Sequence, residues 1–219
     1  QNKEKQAQQA SELGINGCND YESLIENSDI LFLGVKPVVF PTLLPQIAKS
    51  VKKKNPLVVS MAAGLTTDSI KEMLGYDAKI IRIMPNVNAA IAMSTTAVCK
   101  NEFASDEDLA TIKNLFSSIG LTTEVPENQF AIFTAIAGCS PAYVYMFIDG
   151  LARGAQKMGM NKQKALEIAA SAVIGSASMY AQSNEHPQEL VDKVCSPGGT
   201  TIEGVTTLEE YKFTAGVVK

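Results

Sequence analysis

Tryptophan is missing from the 219-residue sequence, and its one histidine stands at position 186. A serine or cysteine nucleophile activated by histidine would therefore have to use His186. That residue directly precedes Pro187, and proline is favoured at the first position of a helix. We therefore predict that His186 caps a helix or lies on the surface rather than acting as a catalytic base.

Closely spaced cysteines are also missing. The four cysteines, at positions 18, 99, 139 and 195, stand far apart without a Cys-x-x-Cys pair. This spacing disfavours a zinc site and a dense disulfide framework, and it fits free thiols in a reducing cytosol. We therefore expect a cytoplasmic protein whose site holds no metal.

The sequence has no excess of positive charge and no long apolar run. Nineteen Lys and Arg residues stand against 23 Asp and Glu residues, which gives a formal net charge of −4. A nucleic-acid-binding protein normally presents a basic face, so that class is disfavoured. No apolar run reaches the roughly 18 residues that a membrane span needs, and no basic-then-apolar leader opens the sequence. We therefore expect neither nucleic acid nor a membrane as a partner.

Apolar runs and helical segments alternate over residues 1–125. The runs most typical of buried strands are residues 29–35, 56–62 and 78–84, and shorter candidates follow at 95–99 and 122–125. Almost wholly apolar runs suit strands that are buried on both faces, as in a parallel sheet. Because helices separate the strands, crossover connections are needed, and we predict an α/β domain with a mainly parallel sheet.

The pattern changes after about residue 126, where several consecutive segments carry helical spacing. Residues 162–182 are rich in alanine, isoleucine and serine, a composition typical of a helix that packs closely among others. A helical bundle of this size often completes its core with a second subunit. We therefore predict an all-helical domain over residues 126–219 that builds a homodimer.

Small or turn-forming residues follow three of the predicted strands, at 34–37, 62–64 and 84–86. Ligands of open α/β sheets bind beyond the carboxyl ends of the strands. Small residues there let a ligand approach backbone N–H and C=O groups. Each stretch alone is more typical of an ordinary loop, but three on successive strands favour a ligand-binding rim.

A second candidate site is the stretch Cys-Ser-Pro-Gly-Gly-Thr-Thr at residues 195–201. Two glycines and two hydroxyl residues at a helix start offer backbone donors, the positive end of the helix dipole and two hydroxyl groups. This arrangement suits a carboxylate or a phosphate, whereas a loop with a capping threonine explains it equally well. The spacing of a Walker A loop is absent from the sequence.

These stretches, taken in order, resemble the pyrroline-5-carboxylate reductase family, which catalyses the last step of proline biosynthesis. The similarity covers essentially the whole sequence. Its most specific element is Ser-Pro-Gly-Gly-Thr-Thr at residues 196–201, and Val-Lys-Pro at 35–37 is a weaker match. The other matching stretches are residues 60–64, 82–86, 136–143 and 185–187.

The resemblance implies a Rossmann-like domain followed by a helical domain that binds substrate and forms the dimer. It also implies hydride transfer from NADH or NADPH to the C=N carbon of a cyclic imine. The implied cofactor-binding residues are Gly34, Val35, Lys36, Pro37, Ala62, Ala63, Gly64 and Lys193, the last at a position where relatives usually carry another residue type. The implied substrate-binding residues are Glu127, Ser196, Gly199, Thr200 and Thr201.

Thr201 is our candidate catalytic residue. The imine nitrogen needs a hydrogen-bonding partner while the hydride arrives at the neighbouring carbon. The motif at residues 196–201 contains no Lys, Tyr or His, so a threonine hydroxyl is the best-placed group. We predict that Thr201 orients the ring nitrogen and that water completes the proton transfer.

The sequence departs from the family pattern at three places. Ser140 occupies a position where the family usually has glycine. The sequence opens with the helix that follows the family's first two strands and glycine-rich phosphate loop, and its last helix ends early, at Lys219. We therefore expect that residues 1–219 alone bind NADPH poorly, and that the exposed sheet edge favours alternative pairing.

Two other functions stay open from the sequence. A related two-domain dehydrogenase acting on 3-hydroxy acids normally places a catalytic lysine in the first long helix of its helical domain, but residues 142–154 contain no lysine. A non-catalytic helical dimerisation module with a degraded nucleotide domain is favoured by the missing first strands. The intact binding loops disfavour that interpretation.

Overall fold

The computed structural model describes residues 3–219, which form two compact units. The first, here called the α/β unit, extends through Tyr143, and the second, the helical unit, comprises Val144–Lys219. The sheet ends at Glu124, next to the boundary predicted after residue 125. Residues 126–143 nevertheless belong to the α/β unit, so a functional domain boundary after residue 125 stays a prediction.

A five-stranded sheet in the order β1-β2-β3-β4-β5 organises the α/β unit. Its strands are β1 (Ile30–Leu33), β2 (Leu57–Ser60), β3 (Ile80–Met84), β4 (Ser94–Lys100) and β5 (Gly120–Glu124). Parallel pairing joins β1 to β2, β2 to β3 and β4 to β5, which confirms the predicted mainly parallel sheet. β3 and β4 pair antiparallel, because their short connection, which contains the 3₁₀ turn Val87–Ile91, is too short for a crossover helix.

Helices pack on both faces of this sheet. The helices before β5 are α1 (Lys3–Leu13), α2 (Tyr21–Glu26), α3 (Phe40–Lys54), α4 (Thr67–Leu74) and α5 (Asp106–Ser117), and residues of α2 to α5 lie in the core clusters with the strands. Val58 of β2 lies in a core cluster with Leu44 of α3 and Ile70 of α4, whereas its neighbour Val59 lies in a cluster with Ile112 of α5. Because alternate residues of a strand point to opposite faces, β2 is buried on both faces, as its apolar run predicts.

The described residues after β5 form helices and their connections. They are a 3₁₀ turn (Glu127–Gln129), α6 (Phe130–Phe133), a π-helical stretch (Thr134–Cys139), α7 (Ser140–Lys157), α8 (Lys162–Gln182), α9 (Pro187–Val194), α10 (Thr200–Glu210) and α11 (Phe213–Val218). Residues 141–219, all of which are described, contain no strand. The predicted change from an α/β to an all-helical architecture is confirmed.

His186 is the N-cap residue of α9. Its Nδ1 accepts a hydrogen bond from the Gln188 amide at 3.2 Å, and its own amide donates to Glu189 Oε2 at 3.0 Å. This reciprocal pattern is a capping box, which satisfies amides at the helix start. The predicted capping role of His186 is confirmed.

Large apolar side chains are exposed on α8, where Ile174 and Met179 are each 64% exposed. Ala165 and Ala169 are the buried residues of this helix. Exposed apolar side chains of this size are candidates for burial against a partner. The continuous helical run Glu127–Lys157 is, by length and composition alone, also apolar enough to cross a membrane, although a single helix of this kind is weak evidence for a span.

Candidate active site

Two of the predicted ligand-binding stretches meet at the sheet edge where β1 and β2 end. Leu33 pairs with Ser60 in the parallel ladder, so Gly34 and Met61 follow side by side. A Cβ at Gly34 would stand 3.1 Å from the terminal methyl of Met61, so the two loops run close together at this point. The first stretch continues through three exposed residues: Val35, Lys36 and Pro37.

The loop after β2 is anchored at its start and open in its middle. The Ala62 amide donates to Ser60 Oγ at 3.2 Å, and Ala62 is buried. Ala63 and Gly64 are exposed. Gly64 has φ +77°, and no atom lies within 4 Å of the place a Cβ would take. This left-handed φ favours glycine, and the open space leaves the backbone within reach of a ligand, so these residues fit a nicotinamide cofactor bound along the strand ends.

The third stretch, after β3, is held by internal hydrogen bonds. Asn86 Nδ2 donates to the Ala137 carbonyl at 2.9 Å. Asn86 Oδ1 accepts from the amides of Asn88 and Thr95 at 3.2 and 3.3 Å. The side chain of Asn86 therefore fixes the connection between β3 and β4 and ties it to the π-helical stretch.

A largely buried ionic cluster surrounds Glu127. Its Oε1 accepts a hydrogen bond from the Thr67 amide and its Oε2 one from the Thr67 hydroxyl, each at 2.8 Å. Arg82 of β3 places Nη1 3.3 Å from Oε1, and the Arg82 side chain is 7% exposed. The guanidinium also lies over the Phe130 ring, 4.5 Å from its centroid. Both carboxylate oxygens of Glu127 are thus engaged inside the α/β unit, and its implied contact with substrate stays a prediction.

Sequence reasoning missed the roles of Arg82 and Thr67, although one signal was present. Arg82 is the one charged residue in the β3 segment Ile-Ile-Arg-Ile-Met. A charge in a strand buried on both faces needs a partner. The partner of Arg82 is Glu127, which stands 45 positions further along the chain. Local sequence patterns do not identify a partner at that distance.

Cys99 of β4 is paired with Arg82 in the antiparallel ladder. Burial raises the pKa of the Cys99 thiol to about 12; the negative charge of Glu127 adds to the rise, and Arg82 opposes it. The thiolate, not the thiol, is the nucleophile. Cys99 is therefore an inert neutral thiol at physiological pH.

In the helical unit, a tight turn leads directly into α10. The Gly199 amide donates to the Ser196 carbonyl at 3.0 Å, and Gly198 has φ +66°. These features, with Pro197 at the second position, are those of a type II turn. A Cβ on Gly199 would stand 3.1 Å from the Ser196 carbonyl oxygen. Both glycines are therefore favoured by the turn itself.

The amino terminus of α10 is open to a ligand. Its N-cap residue is Gly199, and no side chain caps it. Thr200 and Thr201 begin the helix and are exposed, and neither hydroxyl has a hydrogen-bond partner among the described residues. The free amides and the positive end of the helix dipole attract anions. The structure thus brings Ser196, Gly199, Thr200 and Thr201 together in one turn that suits a carboxylate.

Lys193 lies near the end of α9, where its Nζ pairs with Glu185 Oε2 at 2.5 Å. The Lys193 side chain is 63% exposed. An exposed pair of this kind contributes little stability and opens readily. The implied role of Lys193 in cofactor binding stays a prediction.

Comparisons with known proteins cover both units. Residues 127–219 match the family model described as pyrroline-5-carboxylate reductase dimerisation, and residues 1–64 match the one described as NADP oxidoreductase, coenzyme F420-dependent. Pyrroline-5-carboxylate reductase of Escherichia coli (strain K12) is 42% identical over 208 residues, which cover 95% of this chain and 77% of that protein.

Solved structures agree with these matches. The 1-pyrroline-5-carboxylate reductase of Streptococcus pyogenes is 38% identical with a TM-score of 0.88, over 98% of this chain and 81% of that one. The pyrroline carboxylate reductase of Plasmodium falciparum, solved with NADP bound, is 31% identical with a TM-score of 0.86, over 93% of this chain and 77% of that one.

The chain belongs to the pyrroline-5-carboxylate reductase family. This confirms the resemblance seen in the sequence, together with the Rossmann-like sheet and the helical domain that it implied. As a pyrroline-5-carboxylate reductase, the chain is an NAD(P)H-dependent oxidoreductase of proline biosynthesis. The alternatives of a 3-hydroxy-acid dehydrogenase and of a non-catalytic dimerisation module were therefore wrong.

One departure from the family pattern has a simple structural explanation. Ser140 has φ −57° and ψ −28°, which is the ordinary right-handed helical region. Any residue adopts this conformation, so serine replaces the usual glycine of a pyrroline-5-carboxylate reductase here without backbone strain.

Proposed function

We propose that this protein reduces 1-pyrroline-5-carboxylate to L-proline with the substrate held at the turn of residues 196–201. The observation that carries this proposal is the exposed, uncapped amino terminus of α10 directly after the Gly198-Gly199 turn. The substrate has a carboxylate and an imine nitrogen close to each other. The turn offers amide donors for the first group and hydroxyl groups for the second.

In this proposal Thr200 and the first amides of α10 hold the carboxylate, and Thr201 Oγ1 hydrogen-bonds the ring nitrogen. Ser196 and Gly199 supply further contacts from the turn. Hydride addition to the C=N carbon leaves the nitrogen in need of a proton, so a partner at the nitrogen fixes the orientation of the bond that reacts. Because a hydroxyl is a weak acid, Thr201 orients the nitrogen and water completes the proton transfer.

We assign the cofactor site to the ends of β1 and β2. Its residues in the α/β unit are Gly34, Val35, Lys36, Pro37, Ala62, Ala63 and Gly64. The role of Lys193 in cofactor binding, which the family resemblance implies, stays a prediction. When bound, the nicotinamide supplies the hydride. The parallel register that sets the first two stretches side by side and the open left-handed backbone at Gly64 support this assignment. The proposed cofactor is NAD(P)H.

We also propose a cytoplasmic homodimer built through the helical unit. The match of residues 127–219 to a dimerisation domain supports this assembly, as do the exposed apolar side chains of α8. The four free cysteines support a reducing compartment. Burial in a dimer also explains why the helical run Glu127–Lys157 is so apolar.

The test is Thr201→Val, assayed in the natural full-length protein that contains these residues. Valine keeps the shape of threonine and removes the hydroxyl. Losing one hydrogen bond to a reacting group costs about 10²-fold in rate, so we expect kcat for pyrroline-5-carboxylate to fall by about that factor with the melting temperature unchanged. The control is Thr207→Val in the same helix, where the hydroxyl instead donates to the Glu203 carbonyl. Near-normal turnover of Thr201→Val would refute the assignment.

A further inference from the structure

The carboxylate of Glu127 fastens the start of α4 to another part of the α/β unit. The Thr67 amide is among the first donors of α4, and such donors have no partner within their own helix. Glu127 satisfies this donor and the Thr67 hydroxyl with its two oxygens, both at 2.8 Å. A negative charge at this end of a helix is further stabilised by the helix dipole.

Arg82 holds the Glu127 carboxylate in place. Its Nη1 lies 3.3 Å from Glu127 Oε1, and its guanidinium lies over Phe130, which is 1% exposed. Glu127 is the acidic partner of the buried Arg82 side chain, and Arg82 Nε is buried without a hydrogen-bond partner. Loss of the Glu127 charge would therefore leave the guanidinium buried and unpaired. A chain of contacts therefore runs from Phe130 through Arg82 and Glu127 to Thr67.

This chain of contacts ends at the loop that we assign to the cofactor. Residues 61–66 connect β2 to α4. At one end the Ala62 amide is bonded to Ser60 Oγ, and at the other the Thr67 amide is bonded to Glu127. Between these two anchors Ala63 and Gly64 are exposed. Releasing the second anchor would free the end of the loop that leads into α4.

We propose that Glu127 is a positioning residue, which fixes the loop of residues 61–66 through Thr67 in the conformation that binds the nicotinamide cofactor. The proposal rests on the cofactor site proposed above and replaces the direct contact with substrate that the family resemblance implied for Glu127. A preformed loop binds more tightly because ordering it costs nothing at the moment of binding. Glu127 therefore acts on cofactor affinity and leaves the hydride-transfer step unchanged.

The test compares Glu127→Gln with Glu124→Gln in the natural full-length protein. Glu127→Gln keeps the shape of the side chain and removes the charge that pairs with Arg82. Glu124 is an exposed residue on β5 that pairs with Lys113 at 3.6 Å, so it is a matched control. Losing a hydrogen bond to a charged group weakens an interaction about tenfold or more, so we expect the cofactor KM to rise by about that factor in Glu127→Gln. We expect kcat at saturating cofactor to stay within about twofold of wild type.

Substitutions of Thr67 give an independent check on the same contact. Thr67→Val removes the hydroxyl donor but keeps the amide, so the cofactor KM should rise less than in Glu127→Gln. Thr67→Ser retains both donors, so the cofactor KM of this variant should equal that of the wild type. A role in stability alone would lower the melting temperature of Glu127→Gln and Thr67→Val and leave the cofactor KM of both variants at the wild-type value.

Cofactor affinity measured without substrate separates the positioning role from the proposed function. NADPH fluorescence titration should show a Kd raised about tenfold in Glu127→Gln and unchanged in Glu124→Gln. An unchanged Kd in Glu127→Gln overturns the positioning role even if the wild type reduces pyrroline-5-carboxylate. So does an unchanged cofactor KM together with a raised KM for the imine, since that result would place Glu127 on the substrate. A wild type that binds NADPH but does not reduce the imine overturns the proposed function instead.

Discussion

The amide of Thr67 donates a hydrogen bond to Glu127 Oε1 at 2.8 Å, although sixty positions separate the two residues in the chain. The contact joins the start of α4, directly after the proposed cofactor loop, to the first residue of the segment that matches the dimerisation domain. Glu127 thus belongs to the helical segment by sequence similarity and to the α/β unit by packing. The contact therefore links the proposed cofactor loop to a segment sixty positions further along the chain.

Removing the cation of this cluster should destabilise the protein. Arg82→Met keeps much of the apolar length of the side chain but leaves the Glu127 carboxylate without its positive partner. Breaking a buried pair costs about 3–5 kcal/mol; because Glu127 is 26% exposed, we expect a loss of about 2 kcal/mol in the free energy of unfolding. Urea titration measures this loss in the free energy of unfolding.

Lys113→Met provides the control for that experiment. Lys113 pairs with Glu124 at 3.6 Å on the surface, and such pairs contribute about 0–1 kcal/mol. The two variants should therefore differ clearly in their unfolding midpoints. Equal losses would contradict the structural importance of the Arg82–Glu127 pair.

The raised pKa of Cys99 predicts a loss of stability at alkaline pH. The pKa of the thiol is about 12 in the folded protein, against an ordinary value of 9.0. Above pH 9 the unfolded chain therefore releases a proton that the folded protein retains. Stability from this group is fully present below pH 9 and is lost as the pH rises toward 12.

Cys99→Ala isolates this contribution because alanine does not titrate. The free energy of unfolding, followed by urea titration from pH 8 to about 10, should fall less steeply in Cys99→Ala than in the wild type. Parallel slopes for the two proteins would show that Cys99 ionises equally in both states, contrary to its burial in the structure.

A charge placed on α8 should disrupt the proposed dimer. Ile174 is 64% exposed on α8, and an Ile174→Glu substitution would bury an unpaired carboxylate in an apolar interface. Sedimentation should show a stable wild-type dimer and a monomeric or weakly associating variant. Leu121 of β5, which is 66% exposed in the α/β unit, supplies the control, and Leu121→Glu should leave the dimer intact. A stable monomeric wild type at micromolar concentration would rule out the proposed assembly.

Local sequence patterns predicted most of the architecture because local chemistry determines it. The apolar run at residues 56–62 predicts a strand buried on both faces, and Leu57–Ser60 is buried throughout. Pro187 indicates the helix start that His186 caps. Ser196 to Thr201 form one turn because their glycines and proline favour its backbone.

The features that sequence reasoning missed depend on distant partners. The antiparallel pairing of β3 with β4 follows from a short connection, yet alternating strands and helices suggest parallel pairs throughout. The family resemblance implied a contact between Glu127 and the substrate, and no local pattern indicates its contacts inside the α/β unit. Its role becomes visible when folding brings Thr67 and Arg82 to its two oxygens.

The most direct test of the central claim follows the hydride itself. The natural full-length protein is incubated with 1-pyrroline-5-carboxylate and NADPH carrying deuterium at the transferable position, and the product is analysed by NMR and mass spectrometry. The proposed reaction predicts L-proline with a single deuterium on the ring carbon that formed the C=N bond. In Thr201→Val the same product should form about 10²-fold more slowly. Oxidation of NADPH without deuterated proline, or no dependence of NADPH oxidation on the imine, would contradict the claim.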